Sequence, residues 1–203
     1  MKQLFDSPQA ESLTLPDADI LFWRAVNLEM NRAALQESLI IDTPWCQEEI
    51  TLWGKRHKQP RLTAWYGDND LTYTYSGVTL RPTPWTPLLK ELKHRIEVVT
   101  DCAFNSVLLN YYRDQCDGMG MHSDDERELG DNPTIASLSL GEERTFVLQH
   151  KTRRDLDRVK LPLPSGSLLL MRGGTQRHWK HGIPKERSSC GSRVNLTFRH
   201  IYP

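Results

Sequence analysis

The side chains best suited to chemistry lie in three segments: His122-x-Asp124, His178-x-x-His181 and Arg193–Arg199. Residues i and i+2 of a β-strand face the same way, so His122 and Asp124 can share one metal ion. A third ligand would come from a separate strand, and both His178 and His181 are candidates. Two imidazoles and one carboxylate leave coordination positions open, which is typical of non-haem Fe(II) sites that use dioxygen. Zinc could occupy the same ligands.

The segment RVNLTFR (193–199) separates polar from apolar side chains. Alternation along a strand puts Val194, Leu196 and Phe198 on one face, and the other face carries Arg193, Asn195, Thr197 and Arg199. The two arginines would lie roughly 20 Å apart along the strand, yet their long side chains could lean together around a short diacid. Guanidinium suits this task because it donates bidentate hydrogen bonds to carboxylates. The alternative is a half-exposed strand with arginines in water, which leaves the nearby metal-type residues unexplained.

Size and composition predict one globular domain. The chain has 203 residues, 38% of them hydrophobic, and this is enough for a substantial core. No apolar run is long enough to span a membrane, and the start MKQLFDS does not resemble an export signal. Cys46, Cys102, Cys116 and Cys190 show no CxxC spacing, so we expect free thiols in an intracellular, cytoplasmic protein rather than a zinc knuckle or redox pair.

The net charge of zero hides an asymmetry along the chain. Residues 1–50 have three Lys/Arg against nine Asp/Glu, and residues 51–203 have 23 against 17, so the two parts carry −6 and +6. A basic region of this kind could face a polyanion. Scattered charges that only solvate the surface are the equally simple alternative.

The order of secondary-structure patterns predicts a mainly β fold with some helix. DADILFWRAV and LEMNRAALQESLI, in the first 50 residues, place apolar residues at helical spacing, and TPLLKELKHRIEVV (86–99) predicts a further helix. Short β-prone runs separated by Gly, Pro and Asp fill the rest, including SVLLNYY, TIASLSLG, RTFVLQH and GSLLLM. We therefore expect a mixed α+β fold, mainly β, in which an antiparallel sandwich or jelly roll carries N-terminal helices.

Four segments together resemble the AlkB family of Fe(II)/2-oxoglutarate-dependent nucleic-acid dealkylases, and most of all its animal member that repairs duplex DNA: PRLTAWYGDNDLTYTYSG, LLNYYRDQCDGMGMHSDDERELG, GSLLLMRGGTQRHWKHGIP and RVNLTFR. The resemblance covers most of residues 50–203. It implies a double-stranded β-helix in one domain, 1–203, with a helical extension (1–50), a nucleotide-recognition segment (51–85) and a jelly-roll core (100–203).

The resemblance also implies roles for individual residues. It selects His181 as the third iron ligand beside His122 and Asp124. It places 2-oxoglutarate among Asn110, Tyr112, Arg193, Thr197 and Arg199, with Arg193 at the distal carboxylate, and with Arg199 and Asn110 at the carboxylate beside iron.

Substrate contacts are implied in the same way. Asp125 and Glu126 match positions that face the target base, and Tyr73 and Tyr75 match an aromatic platform. A base inside a duplex must be rotated out of the stack to reach iron, and an inserted side chain can fill the gap. TLWGKRHKQPR (51–61) combines an aromatic with cations that suit phosphates, and the resemblance makes Trp53 the wedge, beside Gly54 and Lys55.

Each of these substrate residues also has an ordinary structural explanation: a turn for Trp53, strand packing for the tyrosines and a solvated acidic turn for Asp125 and Glu126. A second basic stretch, HKTRRDLDRVK (150–160), could contact phosphates of the opposite strand or only solvate the surface.

The expected reaction is oxidative demethylation of alkylated DNA bases such as 1-methyladenine and 3-methylcytosine. It consumes 2-oxoglutarate and O₂, and it yields formaldehyde, succinate and CO₂. The expected partner is DNA, duplex rather than single-stranded, with no membrane and a monomeric enzyme. Two alternatives remain open: a related dioxygenase that acts on RNA or on a protein side chain, and a non-catalytic binder of DNA lesions.

Overall fold

The computed structural model describes residues 9–52, 55–71, 73–75 and 78–202, and it gives only the backbone of 50–52, 55, 73–75 and 78–80. Three helices are α1 (Arg32–Asp42), α2 (Pro87–Thr100) and the single turn α3 (Thr175–His178). The strands before α2 are β1 (Glu11–Ser12), β2 (Asp19–Trp23), β3 (Glu49–Leu52), β4 (Lys55–Lys58), β5 (Leu62–Gly67), β6 (Tyr73–Tyr75), β7 (Val78–Leu80) and β8 (Thr83–Pro84). The later strands are β9 (Ser106–Tyr112), β10 (Met119–His122), β11 (Ile135–Gly141), β12 (Arg144–His150), β13 (Val159–Leu163), β14 (Leu168–Arg172), β15 (Trp179–Ile183) and β16 (Arg193–Arg199).

Two sheets form the body of the protein. The larger sheet has the order β1-β2-β14-β11-β16-β9-β5-β8, and the smaller has the order β10-β15-β12-β13. All pairings in them are antiparallel except the short β5–β8 contact. Phe22, Tyr112 and Met171 of the larger sheet pack with Phe146 and Trp179 of the smaller sheet. The predicted antiparallel, mainly β architecture is confirmed.

The helices cover the opposite face of the larger sheet. Leu35 and Leu39 of α1 and Leu92 and Ile96 of α2 join the cluster that contains the apolar side of β16. Asn31 caps α1 by accepting from the backbone N–H groups of residues 33 and 34. Thr86 caps α2, and Pro87 suits the first helical position because its missing N–H would have no partner there. The helix predicted from TPLLKELKHRIEVV is thus confirmed.

One helix prediction in the first 50 residues is wrong. Residues 19–23 of DADILFWRAV form strand β2, and the α1 helix corresponds to LEMNRAALQESLI only from residue 32. Strand β2 pairs with β14 over five residues, and its side chains are buried on both faces. A run of apolar residues such as ILFW fits a strand that is buried on both faces as well as it fits a helix. The segment forms a strand because it hydrogen-bonds to the edge of β14.

Two hairpins extend from this body, β3–β4 and β6–β7. They include the backbone of Lys55, Tyr73 and Tyr75, while Trp53 and Gly54 lie outside the described residues. In the described part of the chain, no helix has the length and apolar character to cross a membrane.

Candidate metal and co-substrate site

Two strands of the smaller sheet bring His122 and His181 together. The residues are direct cross-strand partners of β10 and β15, and their ring centroids are 4.4 Å apart. Asp124 completes the group: its carboxylate oxygens lie 3.7 Å from His122 Nε2 and 3.8 Å from His181 Nε2. The possible ligand atoms all lie within 4.8 Å of one another. His178 belongs to a different group, with Asp17 and His150.

Asp124 reaches the site without the strand geometry expected for His-x-Asp. Strand β10 ends at His122, and Asp124 lies in the loop that follows. Its backbone N–H donates to Gln176 Oε1 at 3.0 Å, and the preceding Ser123 hydroxyl donates to the Trp179 carbonyl at 2.9 Å. Contacts to α3 and β15 therefore position the carboxylate.

The surroundings of the two histidines leave ring nitrogens available to bind a metal. His122 Nδ1 lies 2.9 Å from the Gly120 carbonyl, which can only accept, so Nδ1 carries the proton and Nε2 keeps its lone pair. Burial lowers the pKa of His181 to about 4, so this imidazole is neutral near pH 7. Phe146 stacks on the same ring at 5.2 Å.

Asp124 remains charged although it is buried. Burial alone would raise the pKa of its carboxyl, but the positive charge of Arg199, followed by the two histidines, lowers the pKa below its usual value. Arg199 Nη2 donates to Asp124 Oδ1 at 3.0 Å. The site thus presents one carboxylate and two imidazoles, a donor set that suits Fe(II).

A pocket extends from these ligands to Arg193. Its lining includes the predicted co-substrate residues Tyr112, Arg193, Thr197 and Arg199. Arg193 is 1% exposed and donates from Nη2 to the Ser139 hydroxyl, yet its Nε and Nη1 have no hydrogen-bond partner. Buried donors without partners are costly, so the end of this pocket is suited to an anion.

The polar face of β16 points into this pocket as the alternation predicts, and the apolar face packs under the helices. The interpretation of β16 as a strand with arginines in water is therefore wrong. Asn110 is 1% exposed, is not among the pocket-lining residues, and accepts from Arg61 Nε at 2.8 Å.

Asp125 and Glu126 directly follow Asp124 and are exposed. Asp125 forms an ion pair with Lys151 at 2.9 Å. Glu126 is exposed as a residue, but partial burial of its carboxyl, with the nearby charge of Asp124, raises its pKa. Within the second basic stretch, Arg153 is paired with Asp155 at 2.5 Å.

Several residues of this site carry no signal in the sequence. Gln176, Phe146 and Ser139 contact site residues that are 52, 35 and 54 positions away. Asn195, which also lines the pocket, is the exception, because it lies on the predicted polar face of β16.

Comparison with known proteins places this geometry in a family. The sequence profile of the 2OG-Fe(II) oxygenase superfamily matches residues 19–199. The mouse "Alpha-ketoglutarate-dependent dioxygenase alkB homolog 3" is 49% identical over 175 residues, with 82% of this chain and 60% of that protein covered. The mouse "DNA oxidative demethylase ALKBH2" is 47% identical over 161 residues, with 76% and 67% covered. The chain thus spans only about 60% of the length of the first of these relatives.

A solved structure, that of OsALKBH1, matches this fold with a TM-score of 0.63. The alignment covers 95% of this chain and 100% of that chain at 17% sequence identity. The match shows a shared fold.

Proposed function

Because the chain belongs to the 2OG-Fe(II) oxygenase superfamily and, within it, to the AlkB family, we propose that it oxidatively demethylates alkylated bases in DNA. The observation that carries this proposal is the continuity of one pocket. It has two histidines and an aspartate at one side and, farther in, a buried arginine with two unpaired donors. A metal centre beside a carboxylate-binding arginine is what a 2-oxoglutarate dioxygenase requires.

In this proposal His122, Asp124 and His181 hold Fe(II). Bound there, the iron supplies the oxidising chemistry that uses dioxygen and 2-oxoglutarate. The protein orients the ligands: Gly120 fixes the His122 ring, and Arg199 holds one oxygen of Asp124. The buried, neutral His181 needs to lose no proton near neutral pH before it can bind metal.

The co-substrate occupies the inner part of the pocket. The Arg193 guanidinium, on which Nε and Nη1 have no other partner, pairs with the distal carboxylate. Tyr112 and Thr197 line the same cavity, and Arg199, whose Nε is also unpaired, lies at the end next to the metal ligands. Asn110 is proposed as a further contact to the inner carboxylate.

The nucleic acid approaches over the acidic segment and the two hairpins. Asp125 and Glu126 face the target base, and a negative carboxylate would favour a base whose methylation leaves it cationic, as in 1-methyladenine and 3-methylcytosine. Tyr73 and Tyr75 form the stacking platform, and Trp53 is the wedge, beside Gly54 and Lys55. Base flipping makes the methyl group accessible, and the products are formaldehyde, succinate, CO₂ and the restored base.

The substrate polymer and the assembly are part of the proposal. The name of the mouse ALKBH2 relative specifies DNA, and we assign duplex DNA to this chain as the preferred partner of a monomer. A competition assay with methylated duplex DNA, single-stranded DNA and RNA tests this assignment, and preference for RNA would favour the alternative dioxygenase.

Formaldehyde release tests the reaction itself. The purified protein with Fe(II), ascorbate and 2-oxoglutarate should release formaldehyde from methylated DNA. His122→Ala, Asp124→Ala and Arg193→Ala should abolish turnover, and a cooperative thermal transition in each variant would show that the loss is not a loss of folding. Full activity of Arg193→Ala would contradict the co-substrate assignment. Lesion binding without consumption of 2-oxoglutarate would support a non-catalytic binder.

A further inference from the structure

Arg144, the first residue of β12, is a buried cation that no sequence motif indicates. It is 1% exposed. Nη2 donates to the carbonyls of Asp117 and Pro184, each at 2.8 Å, and Nη1 donates to the Asp114 carbonyl at 3.3 Å. Nε has no hydrogen-bond partner, and the half-buried Glu186 lies 3.4 Å away. The guanidinium therefore binds two loops mainly through their carbonyls.

These two loops lead into the strands that carry the histidines. Asp117 lies two residues before β10, and Pro184 directly follows β15. The strands are paired there, at Met119 and Ile183, and again at the two histidines. A single side chain of β12 thus fixes the joined ends of both metal-bearing strands.

Arg144 also touches the co-substrate side of the pocket. Its Cζ lies over the ring of Tyr112, 5.8 Å from the centroid, and the Arg193 Cζ lies over the same ring at 5.1 Å. Such contacts are favourable because the ring face is negative. The buried tyrosine is therefore packed against two arginines, one that lines the pocket and one that does not.

The two arginines make the inner pocket strongly positive. Burial lowers the pKa of Arg193, the interaction with Tyr112 raises it in part, and the charge of Arg144 lowers it. Glu186 compensates only in part, since its side chain is 35% exposed and lies beside Arg144 rather than Arg193. A ligand with two negative charges would relieve this repulsion, whereas a neutral one would not.

We propose that Arg144 is a positioning residue for the dicarboxylate co-substrate. It holds the Tyr112 ring against Arg193, ties the two metal-bearing strands together, and adds positive potential without touching the ligand. The inference rests on the proposed function, in which Arg193 binds the distal carboxylate.

The size of the effect follows from the charges. The Arg144 Cζ lies within about 11 Å of the Arg193 Cζ, to which the carboxylate would bind, and Glu186 offsets part of the Arg144 charge. At an effective dielectric constant of about 20, one charge about 11 Å away changes binding on the order of tenfold, and we take this as the upper size of the effect. Arg144→Met keeps the bulk and removes the charge, so KM and Kd for 2-oxoglutarate should rise by up to that factor. Saturating 2-oxoglutarate should restore most of kcat, and KM for methylated DNA should change little.

Arg144→Lys gives the graded comparison. Lysine keeps the charge but is a point donor that cannot span three carbonyls, so KM for 2-oxoglutarate should fall between wild type and the methionine variant. Arg95→Met is the matched control, because Arg95 on α2 pairs with Glu91 of the same helix and with Glu29, which precedes α1, and does not line the pocket. Its KM for 2-oxoglutarate should equal that of wild type.

Four outcomes would each test the role of Arg144. If Arg144→Met binds 2-oxoglutarate like wild type while Arg193→Met does not, the inference is wrong and the proposed function stands. If Arg193→Met also binds normally, the co-substrate pocket itself is misassigned. An equal loss for DNA and 2-oxoglutarate, with kcat not restored at saturation, would reduce Arg144 to a folding role. If Arg144→Met does not fold, Arg144→Gln replaces it, because glutamine removes the charge and keeps a donor for the carbonyls, and a wild-type KM for 2-oxoglutarate in that variant would overturn the inference.

Discussion

Substitution of Gln176 tests whether the backbone of Asp124 must be held for metal binding. The Gln176 amide is 1% exposed, its Oε1 accepts the Asp124 N–H at 3.0 Å, and its Nε2 lies 3.4 Å from Met171 Sδ. Gln176→Met keeps the length of the side chain and removes the acceptor. Asp124 then retains a buried N–H without a partner, which costs about 1–3 kcal/mol.

Part of that loss should appear as weaker metal binding, because the site needs Asp124 in one place. Loss of a hydrogen-bond partner behind a ligand typically lowers metal affinity by about 10- to 100-fold. Titration with Co(II), followed by its visible absorption, would give the affinity for wild type and variant. Urea unfolding of the metal-free proteins would give the loss of stability.

Gln176→Glu is the matched control, since it keeps an acceptor for the same N–H. Its Co(II) affinity should stay far closer to wild type than that of Gln176→Met. If Gln176→Met binds Co(II) as tightly as wild type, the hydrogen bond does not position the carboxylate. If both variants lose affinity equally, the shape of the amide and not its acceptor is what matters.

Two further predictions concern pH and the hairpin. Burial lowers the pKa of His181 in the folded protein from 6.5 to about 4, so the unfolded chain binds a proton first as pH falls. The metal-free protein should therefore lose stability on the order of 2 kcal/mol between pH 7 and about pH 4.5 from this residue. Urea unfolding at both pH values should show a smaller loss in His181→Asn, and an unchanged loss would disprove the assignment. Trp53→Ala should reduce demethylation of duplex DNA more than that of single strands, because only a duplex leaves a gap to fill. Equal reductions would count against a wedge.

The conformation of strand β16 could be predicted from its local sequence pattern. The alternation of polar and apolar residues correctly separates those that face the pocket from those that face the core. It does so because β16 is paired with a strand on each side and its two faces have different surroundings. DADILFWRAV lacked such an alternation, and pairing with β14, some 150 residues later, decided its conformation. The helix α2 was predictable because its cap, its proline and its apolar spacing all lie within one segment.

The sequence indicated which residues could bind a metal, but it did not indicate how the fold positions them. His122 and Asp124 were expected to share a strand face, yet the strand ends at His122 and Gln176 positions the carboxylate. Gln176 and Arg144 act through contacts 52 and 27–40 residues distant, and such pairs exist only after folding. No local spacing could have indicated them.

Spacing along the chain does not distinguish His178 from His181, whereas the fold places them in two different groups. The described residues contain two groups of two histidines and an aspartate, and composition alone does not distinguish them. In the first group, His122 Nδ1 faces a carbonyl, which leaves Nε2 free for a metal.

In the second group, His150 Nδ1 accepts the backbone N–H groups of Thr152 and Arg153, at 3.3 and 3.0 Å, so the ring proton lies on Nε2. That Nε2 is 3.3 Å from Asp17 Oδ2 and donates to it. A metal would have to displace this proton and break that hydrogen bond. His178 therefore shares its group with a histidine, His150, that is held as a donor to Asp17 and is poorly suited to metal, whereas His181 shares its group with His122, whose Nε2 is free.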